Sequence, residues 1–486
     1  MDTLSDQNTN TLLSFFERLT RFPRYPEDLM SDAFIRLIRS LGYHAFQDKA
    51  HNVILQLRPA PGTEEAPRLI LQGHLDMVCL KERGRDHDFS TDPIRLVKDS
   101  GWLMADGTTL GADNTIGLAM MLALLSDSPL LPETRFIFTT GKENGMKGAK
   151  NLESRYLDAE LLINLDAKTE GTVFTSSSKG SQGNLEIPIK RTHPGRQWVQ
   201  TRIQLDGFRS GNAGEDILDV RSNAIKVLAE FLWRIDQNCQ LLINSFSGKP
   251  YEYESVIPSY AQAVISFPIE DRKRGFQAMN QVRDELLGNL LKTEPDARFT
   301  WELVSSELLP MDHASSQRLL NCISMLPHGV YTIQAGTDQI ESSNNLFSVT
   351  TGKETAFLRT SIFSASQTRE QELEADIFQI MQTFSGTAKF EAAYPAWERK
   401  DHSPARALFF RVYSKMAGKE AREAALHSAT ECGIFQKKNP KLDLISIGPN
   451  IKDPDTLKER LSVESSLRTY KLLQKLIGEI VQLRRE

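Results

Sequence analysis

Short apolar runs alternate with helical periodicities through the first part of the chain. Arg68-Leu69-Ile70-Leu71-Gln72 reads as one buried strand, and Arg135-Phe136-Ile137-Phe138-Thr139-Thr140 as a second. Leu161-Leu162-Ile163-Asn164-Leu165 reads as a third, and a helix is predicted over Asn114 to Leu125. Unbroken apolar runs imply strands covered on both faces, so the pattern predicts an α/β domain, doubly wound around a mostly parallel sheet. From about Gly183 the texture changes. Asn184-Leu185-Glu186-Ile187-Pro188-Ile189 and Ala263-Val264-Ile265-Ser266-Phe267 alternate more, between amphipathic helices predicted over Glu215 to Trp233 and Arg272 to Leu291. That is the signature of an α+β domain with a half-exposed antiparallel sheet. After about Gly386 the first texture returns, with a strand over Leu442 to Ile447 and a closing helix over Ser462 to Leu483. The expectation is a discontinuous α/β domain, residues 1–183 and 387–486, interrupted by an α+β insertion over 184–386.

Composition narrows the class. A chain of 486 residues suits two or three domains, and 40% hydrophobic with 25% charged residues is ordinary for a protein that buries large cores. A net charge of -5 supplies no basic field, so nucleic acid is excluded as a partner. No window holds the run of apolar residues that a membrane span needs, and polar residues break up the opening Met1-Asp2-Thr3-Leu4-Ser5-Asp6. Cys79, Cys239, Cys322 and Cys432 are scattered without a C-x-x-C pair, which fits reduced thiols in a cytoplasmic setting.

Four segments stand at predicted strand ends or in the turns after them: His74-Leu75-Asp76-Met77-Val78, Gly111-Ala112-Asp113-Asn114, Lys142-Glu143-Asn144-Gly145-Met146 and Asn164-Leu165-Asp166-Ala167. Ligands of open α/β sheets gather at the carboxyl ends of strands, so these segments can converge. One imidazole and three carboxylates suit zinc, which takes such donors at about 2.0–2.2 Å. Asp76, two residues beyond His74, is placed to fix that imidazole from behind. Bland readings exist for each piece. Asp113 could simply cap a helix, and Glu143 and Asp166 could be solvated strand ends. Together they point to a metal centre.

The chain resembles the aminoacyl-histidine dipeptidase (β-alanyl-histidine dipeptidase) family of co-catalytic zinc peptidases nearly end to end. Gln72-Gly73-His74-Leu75-Asp76-Met77-Val78, His87-Asp88-Phe89, Thr108-Thr109-Leu110-Gly111-Ala112-Asp113-Asn114, Ala393-Tyr394-Pro395-Ala396-Trp397, Glu431-Cys432-Gly433 and Ser446-Ile447-Gly448-Pro449 carry the resemblance. It implies a lid in the inserted domain and a dipeptide-like ligand. It also implies one zinc at His74, Asp113 and Asp166, and a second that shares Asp113 and adds Glu143 and a C-terminal histidine. Paired metals generate the attacking hydroxide, a glutamate before the Glu143 position takes its proton, and a lid histidine holds the oxyanion.

At several of these positions the chain departs from the pattern. Lys142 stands at the general-base position, and a protonated lysine cannot accept a proton from bound water. The C-terminal ligand position aligns with Ser462 of Ser462-Val463-Glu464-Ser465, a poor zinc donor, and no histidine follows His427. The lid histidine aligns with Asn212, and the substrate-facing arginine falls near Arg359, displaced by one place along a strand. His427 reads equally as a substrate-binding or a packing residue. Glu341, Ser343 and Asn345 read as framework, His87 as a loop residue and Cys79 as an inert core thiol. These departures predict an intact first zinc site, a doubtful second one with the Lys142 ammonium in its place, and weak or absent dipeptidase turnover. The alternative is a non-catalytic protein that binds a peptide-like ligand or partner through the same cleft. Whether the lid pairs two chains into a homodimer or serves one chain is left open.

Overall fold

The computed structural model describes residues 6–82, 84–127, 130–193, 197–214, 216–219, 221–248, 256–334 and 339–484; most of the opening segment and Glu215 fall outside them. The chain forms two compact units, residues 1–178 with 394–486 and residues 179–393. The first passage between them thus falls at Ser178 and the return at Tyr394, where sequence texture placed 183 and 387.

The first unit holds an eight-stranded sheet, in the order Ala45–Gln47, Val53–Leu57, Thr134–Thr139, Leu69–His74, Leu161–Asn164, Asp443–Ser446, Thr172–Ser177 and Arg422–Leu426. Leu69–His74 runs parallel to both its neighbours, and Asp443–Ser446 runs parallel to Leu161–Asn164. Val53–Leu57 is antiparallel to its neighbours, so the sheet is mixed at its edge. Every residue of Leu69–His74, Leu161–Asn164 and Asp443–Ser446 is buried, as expected for strands covered on both faces. Leu71, Phe136, Phe138 and Ile163 pack in one core with Met120, Met121 and Leu124 of the helix Ala112–Asp127 and with Leu473 and Ile477 of Val463–Ile480. The helix predicted from Asn114 begins irregularly: Asp113 and Asn114 have non-helical dihedrals, and the peptide between them is cis.

A small antiparallel sheet completes this unit. It runs Ile451–Lys452, Arg460–Ser462, Trp102–Ala105 and Leu96–Asp99, and so carries a C-terminal hairpin to the segment that leads into Asp113.

The second unit contains a nine-stranded sheet in which Trp198–Asp206, Ala261–Pro268, Leu242–Ser247, Ile340–Thr351, Thr355–Ser364 and Lys179–Pro188 pair antiparallel in that order. Burial alternates along Trp198–Asp206. Helices Ala224–Asp236, Arg272–Leu290, His313–Met325 and Gln367–Thr383 supply Phe231, Leu232, Met279, Leu319 and Ile377 to its core. The sequence started the first of these helices at Glu215, but it begins at Ala224. Asn223 caps it by accepting from the Ile225 and Lys226 N–H groups, and Arg221 ties the preceding loop to Asp216 and Asp219.

Candidate metal centre

Neighbouring parallel strands deliver their carboxyl ends to one place. His74 ends Leu69–His74, Glu143 follows Thr134–Thr139, and Asp166 follows Leu161–Asn164. Asn114 ties these ends together, accepting from the His74 N–H at 3.2 Å and donating to the Leu165 carbonyl at 2.6 Å. A Cβ at position 73 would stand 2.3 Å from the Asn114 carboxamide oxygen, so only glycine admits this contact. Asp113 is anchored from the C-terminal hairpin, where Glu459 accepts the N–H groups of Leu110, Gly111 and Asp113 at 3.1, 2.8 and 3.2 Å. The turn of that hairpin places Asp455, in left-handed backbone geometry, beside Asp113 and Glu143.

The donors fall into two groups that share Asp113. In the first, His74 Nε2 lies 3.1 Å from Asp113 Oδ1 and 3.4 Å from Asp166 Oδ1. His74 Nδ1 is 3.0 Å from the Asp76 carbonyl oxygen, a contact that orients the ring with Nε2 toward the carboxylates. Burial and the Lys142 charge pull His74 down, but Asp166 and Asp113 outweigh them and hold it well above the usual range. Asp166 Oδ1 is buried and accepts no hydrogen bond among the described residues. A nitrogen and two carboxylates around an unsatisfied oxygen fit one divalent cation.

The second group, Asp113, Glu143 and Asp455, does not fit a zinc ion as it stands. Lys142 Nζ is 2.5 Å from Glu143 Oε1, 3.6 Å from Asp113 Oδ2 and 3.9 Å from Asp166 Oδ2. Lys168 Nζ approaches the same Asp113 oxygen at 3.1 Å. Burial alone would lower Lys142, but Asp113, Asp166, Glu143 and Asp455 outweigh it and keep the group an ammonium. The reverse holds at Asp113, where Lys142, Lys168 and His74 overcome burial and hold the carboxyl well below its usual range. Burial pushes Glu143 up. Burial, then the Glu143 and Asp113 charges, pushes Asp455 up strongly, as in a cluster short of positive charge.

Several residues named from sequence stand elsewhere or act differently. The Asp76 carboxylate is 3.6 Å from His74 Nδ1, too far for a hydrogen bond; its two oxygens instead accept the Lys142 and Glu143 N–H groups at 3.0 and 2.8 Å. Asp76 therefore shapes the turn that presents Lys142, while its backbone carbonyl orients the imidazole. Ser462 caps the helix Val463–Ile480 by accepting from the Ser465 N–H; the C-terminal residue brought to Asp113 and Glu143 is Asp455. His427 Nδ1 lies 3.5 Å from Ser178 Oγ. Glu431 is buried, accepts from Gln72 and Thr139 at 2.7 and 3.0 Å, and is raised by burial to about 7. Within the second unit, Asn212 Oδ1 accepts the Gly214 N–H at 2.9 Å, and Arg359 donates to Asn184 Oδ1 at 3.3 Å. Asp455, Glu459 and Lys168 escaped the sequence reading. Only Lys168 left a signal, a second cation two residues after Asp166.

The fold and sequence have wide relatives. The structure is similar to that of aminoacylhistidine dipeptidase from Vibrio alginolyticus, with a TM-score of 0.64 and 27% identity over 100% of this chain and 98% of that one. The cytosol non-specific dipeptidase of Escherichia coli (strain K12) is 27% identical over 484 residues, 99% of each chain. A tripeptidase from Staphylococcus aureus shares the fold, with a TM-score of 0.55 at 15% identity and coverage of 98% of this chain and 99% of that one. No helix among the described residues is long and apolar enough to cross a membrane. With residues 70–479 matched by its family model, the chain belongs to peptidase family M20/M25/M40.

Proposed function

We propose that this protein binds a dipeptide-like amide at the His74 centre, with one zinc as its metal, and hydrolyses it far more slowly than an unsubstituted dipeptidase. The names of its full-length relatives, an aminoacylhistidine dipeptidase and a non-specific dipeptidase, support the substrate class. A cation held by His74, Asp113 and Asp166 would polarise an amide carbonyl or a bound water. What the chain's own residues supply next is the weak point.

The observation that carries the reading is the Lys142 ammonium, 2.5 Å from Glu143 Oε1. Peptide hydrolysis needs a group that accepts a proton from water and passes it to the leaving amine. Lys142 holds its proton, and Glu143 is occupied by that ammonium. Loss of a positioned base costs roughly 10²- to 10⁴-fold in rate. The same contact favours a second reading, a non-catalytic protein that retains ligand binding. A cytoplasmic setting is supported by the name of the Escherichia coli relative, a cytosol dipeptidase, and by Cys239, Cys322 and Cys432, buried thiols outside any disulfide.

The test measures binding and turnover of β-alanyl-histidine by the zinc-loaded full chain and its Lys142→Glu variant. Binding by the wild type, with turnover at least about 10²-fold below the variant's, is the expected result. Wild-type turnover equal to the variant's defeats the attenuation, and failure to bind defeats the ligand assignment. Undetectable wild-type turnover with intact binding selects the non-catalytic reading.

A further inference from the structure

The second group of donors has a composition that a zinc pair does not explain. Asp113, Glu143 and Asp455 bring carboxylate oxygens within 4.8 Å of one another, and all three residues are buried. Asp455 Oδ2 accepts no hydrogen bond among the described residues. Three oxygen donors without imidazole or thiolate suit a hard ion such as Mn²⁺ better than zinc. Yet two ammoniums already face these carboxylates, Lys142 from the turn after one strand and Lys168 from the segment after another.

The positions of those two side chains decide how many ions such a pocket holds. Lys142 Nζ lies 2.5 Å from Glu143 Oε1 and 3.6 Å from Asp113 Oδ2, and Lys168 Nζ lies 3.1 Å from that same Asp113 oxygen, so two amines stand against the carboxylates that a second ion would need. His74 Nε2, 3.1 Å from Asp113 Oδ1 and 3.4 Å from Asp166 Oδ1, leaves a donor set for one divalent cation on the other side of Asp113. A second divalent ion among Asp113, Glu143 and Asp455 would lie against both of those amines in a buried site, where like charges repel strongly.

We infer that this is a one-cation centre whose second position is occupied by the chain's own Lys142 and Lys168, and that Asp455 makes it an oxygen-only site, opened when both ammoniums are removed. The inference rests on reading His74, Asp113 and Asp166 as the retained cation site. Lys142 alone is not enough for this role. It pairs at short range with Glu143, and Lys168 is the nearer cation to the outer oxygen of Asp113.

Metal stoichiometry tests it. The full chain, stripped with chelator, is titrated separately with Zn²⁺ and Mn²⁺, and bound ions are counted by mass spectrometry after desalting. One ion per wild-type chain is expected. The Lys142→Met, Lys168→Met double variant takes a second ion, Mn²⁺ in preference to Zn²⁺, and adding Asp455→Asn removes that ion alone. Zero or two ions per wild-type chain overturns the inference, a result that needs no variant to fold. So does a double variant with native circular dichroism that still binds one. Dipeptide binding is measured independently. Its failure would remove the proposed ligand and leave the ion count standing, while two wild-type ions would remove the charge substitution and leave the ligand standing.

Discussion

A charged side chain reads differently in a sequence and in a pocket. Lys142 was visible in the sequence as a cation beside expected carboxylates, and what makes it an ammonium is the set of carboxylates folded around it. His328 in the second unit shows the opposite effect. It is half-buried beside Lys226 and Asn223, where Asn223 donates to its Nδ1 at 3.3 Å, and burial lowers it to about 4. The folded chain therefore keeps His328 neutral between pH 4 and 6.5, where the unfolded chain binds a proton. Stability rises with pH across that window and is lost as pH falls through it, by up to about 3 kcal/mol. Denaturant unfolding at pH 7 and pH 4.5 is expected to show a smaller loss in His328→Gln than in the wild type. Equal losses would mean that the imidazole is not held neutral.

Elements decide which face or end a residue serves. Ser462 sits where a small antiparallel sheet hands over to the last helix, and its hydroxyl meets the Ser465 N–H at 3.3 Å. Its work there is that of an N-cap, so Ser462→Ala is expected to cost about 1 kcal/mol of stability. The same variant leaves the ion count unchanged, and a lost ion would return Ser462 to the ligand set. His74, Asp113, Glu143 and Asp166 were legible in sequence because each stands beside a strand or helix end that local periodicity marks. Asp455 was not, because a hairpin turn in left-handed geometry has no periodic signature. The helix predicted from Glu215 failed for a related reason. Apolar spacing marks a helical face but not its first residue, which Asn223 fixes by capping.

At the scale of the molecule, the two units own separate cores, and among the described residues the grouped candidate ligands all belong to the first. A bound ion stabilises the state that holds it, by about 2.7 kcal/mol when free ion is a hundredfold above the dissociation constant. Removing an ion proposed at His74, Asp113 and Asp166 is therefore expected to speed amide hydrogen exchange in Leu69–His74, Thr134–Thr139 and Leu161–Asn164, with smaller change in Ala261–Pro268 and Ile340–Thr351. Equal change in both sets would place the ion's effect outside the first unit. The sequence by itself determined the layered α/β class, the inserted α+β texture, four donors at element ends and the cation beside them, because periodicity and residue type are local properties. Only the tertiary structure decided that Asp455 and Lys168 join those donors and that Ser462 does not. Glu459 reaches the Leu110 N–H from 349 positions away, and no local pattern records which distant charges will share one buried, low-dielectric pocket.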